Sequence, residues 1–336
     1  MDYIEIQKSI APEMLDLIKR RHSILQSISH LAPVGRRVLA ETLRMGERII
    51  RSELDALKHM GLIESSAGGV VLTARGEELL RGMADYISGL LGLPALERQV
   101  ADKLGIGRVV VVPGDSSTDP LVQIELGRAA ARVLLEIIKD GDIIAITGGT
   151  TMFHVADAIR AERRDVTVVP GRGALGERVE IQANTIAAKL AQSLGGKYRL
   201  LHAPDNLSQQ ALAELVRDPG IADVLALIHR TTILVHGIGE ALEMAVRRNV
   251  PPEQVEELKR LGAVAETLGY YFNARGEIIW QVNSIGLRLR DLENIKTVLA
   301  VAGGSAKARA IQAVAVQCRQ HVLVTDQGAA QAILAG

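Results

Sequence analysis

Three glycine-containing turns of the sequence carry residue types that bind phosphate. They are Gly148–Thr151, Pro170–Gly173 and Gly303–Lys307. Glycines let the backbone approach an anion, and the threonines that end the first turn offer hydroxyls and helix N-terminal amides. Arg172 in the second turn and Lys307 in the third add positive charge. The third turn lacks the spacing of a P-loop, so these turns predict phosphate binding without nucleotide hydrolysis.

Two further residues extend this pattern. Arg247 lies one helix beyond the His236–Glu240 turn, and Glu266 opens a segment of strand character that runs to Phe272. The Glu266 carboxylate could accept hydrogen bonds from sugar hydroxyls, or it could lie at the surface. Several cations and helix ends at one sheet edge indicate more than one phosphate, as in a sugar bisphosphate. The residues that this hypothesis brings together are Thr150, Thr151, Arg172, Arg247, Glu266 and Lys307.

Each motif also has an alternative interpretation. A glycine pair before threonine is equally typical of a tight turn with a helix N-cap, and Gly148–Thr151 alone favours neither interpretation. Gly171–Gly176 matches the G-x-G-x-x-G dinucleotide pattern, with Asp205 as a ribose-binding acid, although Arg172 would crowd a pyrophosphate. A nicotinamide cofactor is therefore an alternative ligand, and otherwise no cofactor is predicted.

A sugar-phosphate isomerase or deaminase is the rival class of function. Such an enzyme needs a convergent acid and base in its pocket. Glu266 is one candidate, and His154 and His236 are more distant ones. No strand end carries an Asp and His pattern that commits to proton transfer, so we predict no catalytic residue.

The elements that position these turns have the pattern of a parallel sheet. Short segments that are apolar throughout are each followed by glycine and a helix-like stretch, which is typical of strands buried on both faces. Their alternation with helices predicts a doubly wound, Rossmann-like α/β domain, whose ligands bind beyond the carboxyl ends of the strands. The predicted strands are Val109–Val112, Ile143–Thr147, Val166–Val169, Arg199–His202, Thr232–His236, Val298–Val301 and Val322–Thr325.

The first ninety residues have a different organisation. Helical spacing predicts three helices, and a hairpin with glycine turn chemistry follows them. This order is typical of a winged helix-turn-helix, whose third helix enters the major groove of DNA. The predicted elements are helices Leu15–Ile28, Val34–Leu43 and Glu47–Met60 and strands Leu62–Glu64 and Val70–Thr73.

Local charge supports a DNA-binding function for this segment. Between Lys19 and Lys58 there are nine Lys or Arg and four Asp or Glu, although the net charge of the chain is zero. Arginine contacts both phosphates and guanine edges, so a basic third helix suits DNA. A winged helix used for protein contacts is the alternative. The candidate DNA-binding residues are Arg36 and Arg37 for phosphates, Arg48 and Arg51 for guanine edges, and Ser52.

Composition limits the remaining function classes. The chain has 336 residues, which favours two domains, and we expect a DNA-binding domain at 1–86, linker helices at 87–106 and an effector-binding domain at 107–336. A single cysteine, Cys318, excludes a disulfide framework and a thiolate metal cluster, and no metal site is predicted. No apolar segment reaches the ~18 residues of a membrane helix, and the N-terminus lacks a signal peptide, so we expect a cytoplasmic protein.

These residues resemble the SorC family of sugar-responsive transcriptional regulators. The resemblance covers essentially the whole chain and combines several short motifs. They are the three glycine turns, the closing segment Leu323–Ala330, the segments Val111–Asp115 and Glu125–Ala130, and Pro33–Arg37 with Glu47 and Arg48 in the first ninety residues.

The resemblance implies a specific role for each domain. The larger domain would have the fold of glucosamine-6-phosphate deaminase and ribose-5-phosphate isomerase and would sense fructose-1,6-bisphosphate or a related sugar phosphate. The smaller would bind the operator of a glycolytic operon as dimers that pair into a tetramer, and the effector would loosen this cooperation. The effector-binding residues would be Gly149, Thr150, Thr151, Arg172, Gln182, Arg247, Glu266 and Lys307.

Overall fold

The computed structural model describes residues 3–160, 162–174, 178–204 and 207–336. The chain forms two compact units, Met1–Pro94 and Ala95–Gly336. The predicted division into a DNA-binding domain at 1–86, linker helices at 87–106 and an effector-binding domain at 107–336 stays a prediction.

The first unit is a winged helix-turn-helix. Its elements are α1 (Tyr3–Ile10), α2 (Pro12–Leu31), α3 (Arg36–Thr42), α4 (Glu47–His59), β1 (Ile63–Ser66), β2 (Gly69–Leu72), α5 (Ala74–Gly82) and α6 (Ala84–Leu90). The apolar residues Ile50, Leu54 and Leu57 of α4 are buried, as their spacing predicts, and they pack with α2 and α3 in one core. β1 and β2 pair as an antiparallel hairpin, the wing. The predicted fold of this segment is confirmed.

The start of α3 differs from the prediction. We expected the second helix to start at Val34, directly after Pro33, but α3 begins at Arg36. Val34 instead exchanges two backbone hydrogen bonds with Val70 of the wing, at 3.2 and 2.9 Å. Because this pairing requires an extended backbone at Val34, α3 can begin only after Val34.

The second unit contains two sheets. Its elements are α7 (Leu93–Leu104), which begins before the division, β3 (Arg108–Val112), α8 (Pro120–Ile137), β4 (Ile143–Ile146), α9 (Thr150–Ala158), β5 (Thr167–Pro170), α10 (Ala183–Ser193), β6 (Lys197–Tyr198), α11 (Gln209–Leu215), α12 (Pro219–Ile228), β7 (Ile233–Gly237), β8 (Gly239–Glu240), α13 (Ala241–Arg247), α14 (Pro252–Arg260), β9 (Ala263–Thr267), β10 (Tyr270–Asn273), β11 (Ile278–Gln281), β12 (Thr297–Val301), α15 (Ala308–Gln317), β13 (Val322–Asp326) and α16 (Gln327–Ala335).

The main sheet has seven parallel strands in the order β3-β13-β12-β7-β4-β5-β6. Every residue of β4 and β13 is buried, so helices or loops cover both faces of the sheet. Strand order progresses in one direction from β4 to β6 and in the other from β7 to β13. The strand order therefore reverses between β4 and β7, which is where doubly wound folds bind their ligands. The predicted fold class is confirmed.

One predicted strand is wrong. Arg199–His202 is irregular, and the edge strand is Lys197–Tyr198. Leu201 is fully buried, but its amide and carbonyl each bond the side chain of Asn184 at 3.0 Å. Since a side chain on α10 satisfies this backbone, Leu201 leaves the sheet although its sequence is apolar.

A second sheet, β11-β10-β9-β8, is antiparallel and was not predicted. The segment of strand character around Glu266 forms its β9–β10 hairpin, with Leu268 and Gly269 at positive φ in the turn. Glu266 stands opposite Gly239 of β8 and Tyr271 of β10. The small sheet therefore carries Glu266 at a central strand.

Candidate functional site

One cavity of about 340 Å³ lies at the carboxyl ends of β4, β5, β7 and β12. This is the point at which the strand order changes direction, where ligand sites are common in such sheets. All of the predicted effector-binding residues line it, and their binding roles stay predictions. They are Gly149, Thr150, Thr151, Arg172, Gln182, Arg247, Glu266 and Lys307.

The first glycine turn opens α9 towards the cavity. Gly149 has φ of 119°, which a residue with a side chain rarely adopts, and Thr150 then begins the helix. Within the described ranges, the amides of Thr150, Thr151 and Met152 have no acceptor. These donors and the positive end of the helix dipole suit an anion.

Glu266 forms a buried ion pair with two arginines. Its Oε1 accepts hydrogen bonds from Arg172 Nη1 at 3.3 Å, Arg248 Nη2 at 2.8 Å and the amide of Gly269 at 2.7 Å. Glu266 is 4% exposed, so the alternative of a surface glutamate is wrong. Among the described residues, two guanidiniums therefore share the Glu266 carboxylate.

Two other predicted cations differ in their surroundings. Lys307 is half-buried at the start of α15, and its ammonium forms no ion pair with any described residue. Arg247 ends α13, where its side chain is 39% exposed and lies 3.8 Å from Glu243. Of these two cations, Lys307 therefore has fewer described protein partners that would compete with a bound ligand.

The described lining of the cavity is electropositive. It contains five cationic side chains and two carboxylates, which together have a formal charge of plus three. Two of these cations, Arg178 and Arg248, were not predicted. Arg248 follows Arg247 in the sequence. Because α13 ends at Arg247, Arg248 is buried and Arg247 stays partly exposed. Gln123 was also missed; its Nε2 donates to Thr151 Oγ1 at 3.3 Å.

The histidines considered for catalysis do not line the cavity. His236 is fully buried, and burial lowers the pKa of its imidazole below the ordinary value. Its ring nitrogens contact Thr267 Oγ1 at 2.9 Å and Gln320 Oε1 at 3.0 Å. These contacts give His236 a structural role in the core. No group of three or more His, Cys, Asp or Glu side chains among the described residues could hold a metal ion.

The dinucleotide alternative depends on residues that are only partly described, since Gly176 and Asp205 lie outside the described ranges. Within them, Gly173 donates its amide to Ile285 at 3.1 Å, and Gly171 accepts from Leu287 at 2.9 Å. This backbone pairs with another segment through both glycines, whereas the glycines of a pyrophosphate turn leave the backbone open to the ligand.

The DNA-binding candidates lie on one stretch of the first unit. Arg48, Arg51 and Ser52 are exposed on α4, where a recognition helix meets base edges. Arg36 and Arg37 are exposed at the start of α3, 3.6 and 3.9 Å from Glu47. The roles of all five residues in DNA binding stay predictions.

Part of the positive charge of this unit serves its own fold. Glu53 of α4 is buried and pairs with Arg20 and Arg21 of α2 at 3.7 and 2.8 Å. These arginines hold α2 against α4, which leaves the α3 and α4 arginines as the candidates for DNA.

Comparisons with known proteins agree with this architecture. Residues 17–87 match the CggR N-terminal DNA binding domain, and residues 89–335 match the Sugar-bind family of sugar-binding domains. The chain is 43% identical over 334 residues to a central glycolytic genes regulator of Priestia megaterium, and 42% identical over 333 residues to one of Bacillus subtilis. Each alignment covers 98% of both proteins.

Solved structures show the same fold. A SorC family transcriptional regulator from Enterococcus faecalis matches with a TM-score of 0.67 and 39% identity, covering 71% of this chain and 99% of that one. The full-length sorbitol operon regulator SorC from Klebsiella pneumoniae matches with a TM-score of 0.69 and 17% identity, covering 94% and 98%. Within the described ranges, no helix is long and apolar enough to span a bilayer. This chain therefore belongs to the SorC family of transcriptional regulators and joins an N-terminal DNA-binding domain to a C-terminal sugar-binding domain.

Proposed function

We propose that this protein represses glycolytic genes and that fructose-1,6-bisphosphate, or a related sugar phosphate, bound in the cavity controls its affinity for operator DNA. Two relatives named as central glycolytic genes regulators, aligned over nearly their whole length, support the first part. The observation that carries the second part is the cavity at the change in strand order, whose described lining has a formal charge of plus three.

The chemistry of the cavity suits a bisphosphate with one phosphate at each end. The amides and hydroxyls of Thr150 and Thr151, with the Lys307 ammonium, would hold one phosphate. Arg247 would meet the other phosphate from the α13 side. Glu266 and Gln182 would orient the sugar between them through its hydroxyls. Arg172 is already held by Glu266, so it would act mainly by adding positive charge.

Control of DNA binding would follow from bridging. The ligand would join turns that follow β4, β5, β7 and β12 and would favour one arrangement of them. We propose that dimers pairing into a tetramer carry this change to two DNA-binding domains on paired half-sites. A coupling free energy of ~1–3 kcal/mol would change operator affinity five- to 150-fold.

A thermal-shift and calorimetry panel tests the ligand. Fructose-1,6-bisphosphate is expected to raise the melting temperature and to bind more tightly than fructose-6-phosphate, because only the bisphosphate neutralises both ends of the cavity. NAD and NADH are expected to have no effect. Stabilisation by a nicotinamide cofactor without stabilisation by sugar phosphates would overturn the proposal, and turnover of ribose-5-phosphate or glucosamine-6-phosphate would replace it with an enzyme.

A further inference from the structure

The segment Asp115–Asp119 has no part in the cavity, yet it lies against the turn that carries Lys307. Asp115 Oδ1 accepts a hydrogen bond from the amide of Ser305 at 3.0 Å. Ser117 Oγ accepts one from the amide of Ala306 at 3.2 Å. The turn after β12 is therefore fixed by a polar segment that precedes α8.

A second carboxylate completes this arrangement. Asp326, fully buried at the end of β13, accepts the amide of Gly304 at Oδ2 at 2.6 Å. The same oxygen accepts the amide of Ser116 at 2.9 Å and its hydroxyl at 2.6 Å, so it joins both segments. We name Asp115 and Asp326 the carboxylate clamp.

The clamp and Ser117 together accept the amide hydrogens of this turn. The successive amides of Gly304, Ser305 and Ala306 all have side-chain acceptors. Two carboxylates already complement the positive end of the helix that begins here. A phosphate in the cavity therefore cannot use these amides, and the turn offers it the Lys307 ammonium.

The glycines of the turn have a matching explanation. A β-carbon at Gly303 would collide with the Asp326 carboxylate, and one at Gly328 would collide with Asp115. Glycine at these positions thus admits the carboxylates, and the approach of a ligand is not needed to explain it.

We propose that Asp115 and Asp326 are positioning residues of the effector site, which hold the Gly303–Lys307 turn so that the Lys307 ammonium stays in the cavity. This inference rests on the proposed function. It is carried by two observations together: three consecutive anchored amides precede Lys307, and Lys307 lines the cavity without an ion pair among the described residues.

Calorimetric titration with fructose-1,6-bisphosphate separates anchoring from charge. Asp115→Ala removes the anchor, and the affinity is expected to fall on the order of tenfold. Asp115→Asn keeps an oxygen that can accept the amides of Ser305 and Ser117, as Oδ1 of Asp115 does, so its affinity is expected to equal or slightly exceed that of the wild type. If the carboxylate acted only through its charge, both variants would bind the anion more tightly, and the proposal would be overturned.

Two controls test whether the effect passes through Lys307. Asp119→Ala removes a carboxylate of the same segment that caps α8 through Leu121 and does not contact the turn, so its effector affinity is expected to stay unchanged. In a Lys307→Ala background, Asp115→Ala is expected to weaken binding no further. Additive losses in this double-mutant cycle would contradict a positioning role.

Hydrogen exchange of the ligand-free protein keeps this inference distinct from the proposed function. The 304–306 amides of the wild type and of Asp115→Asn are expected to be protected, and in Asp115→Ala the Ser305 amide is expected to exchange on the order of tenfold faster. Unprotected amides in the wild type would overturn the clamp. If the wild type is protected but does not bind fructose-1,6-bisphosphate, the proposed function fails, and the exchange data alone then decide the clamp.

Discussion

The turns Gly148–Thr151 and Gly303–Lys307 each follow a buried parallel strand, contain a glycine pair and begin a helical segment, yet they differ in what occupies the helix N-terminus. The amides that begin α9 have no acceptor among the described residues, whereas those before α15 are held by the carboxylate clamp. We propose that the first turn receives an anion, whereas the second already holds two carboxylates. The same short pattern therefore gives an open site in one place and a closed support in the other.

The largest expected difference between the turns is in stability. Asp326→Ala leaves the amides of Gly304, Ser116 and Ala329 without their acceptor in the core and should lower the free energy of unfolding by ~2–5 kcal/mol. Thr150→Ala at the open turn should lower it by less than ~1 kcal/mol. Urea denaturation of both variants measures this, and equal losses would mean that the turns do not differ as described.

The next effect concerns Lys307. Lys307→Ala should weaken fructose-1,6-bisphosphate binding by ~1.5–3 kcal/mol, because a charge-assisted contact with phosphate is lost. Affinity for operator DNA without effector should be unchanged. Arg51→Ala should do the reverse, costing ~1–3 kcal/mol of operator binding and leaving the effector affinity intact. Calorimetry measures the effector affinity, and fluorescence anisotropy measures the operator affinity. Loss of both functions in either variant would contradict the assignment of the domains.

A smaller effect is expected at the open turn. Thr151→Val removes the hydroxyl that contacts Gln123 and faces the cavity, but it leaves the helix amides in place. Effector affinity should fall by ~0.5–1.5 kcal/mol, less than for Lys307→Ala. A loss as large as that of Lys307→Ala would show that the hydroxyl, and not the amides, binds most of the phosphate.

Low pH should weaken the hydrogen bonds that hold the Gly303–Lys307 turn and should leave the Gly148–Thr151 turn unchanged. Burial raises the pKa of the Asp115 carboxyl, but hydrogen bonds from Ser305 and Ser117 together outweigh it and hold the pKa below the ordinary value of 3.8. Since the folded state has the lower pKa, the stabilisation by Asp115 is present above 3.8 and is lost as the pH falls through the folded value. Exchange of the Ser305 amide, relative to that in Asp115→Asn, should therefore rise only below pH 3.8. A rise near neutral pH would point to another group.

The sequence predicted eight of the described residues that line the cavity. Strands that are apolar throughout imply a parallel sheet, and the carboxyl ends of such strands meet at one edge, so the sequence pattern alone brings Thr150, Arg172 and Lys307 together. Glu266 was found through its strand-like surroundings, although its burial between two arginines was not foreseen.

What could not be predicted depends on contacts between distant segments. Asp115 and Ser305 are 190 residues apart, and nothing local to Gly303–Lys307 indicates that its amides are already bonded. The choice between Arg247 and Arg248 depends on where α13 ends, and helix ends are the least predictable feature of a sequence. The predicted strand Arg199–His202 is wrong because of a contact between two segments: the side chain of Asn184 competes with the sheet for the backbone of Leu201.

Operator binding measured with and without fructose-1,6-bisphosphate tests the central claim most directly. Fluorescence anisotropy of the wild-type protein on operator DNA at fixed salt should show a five- to 150-fold weaker affinity at saturating effector, which corresponds to ~1–3 kcal/mol of coupling. Lys307→Ala should need about 10- to 150-fold more effector to reach the same change. An operator affinity and assembly state that the effector leaves unaltered in the wild type would contradict the account.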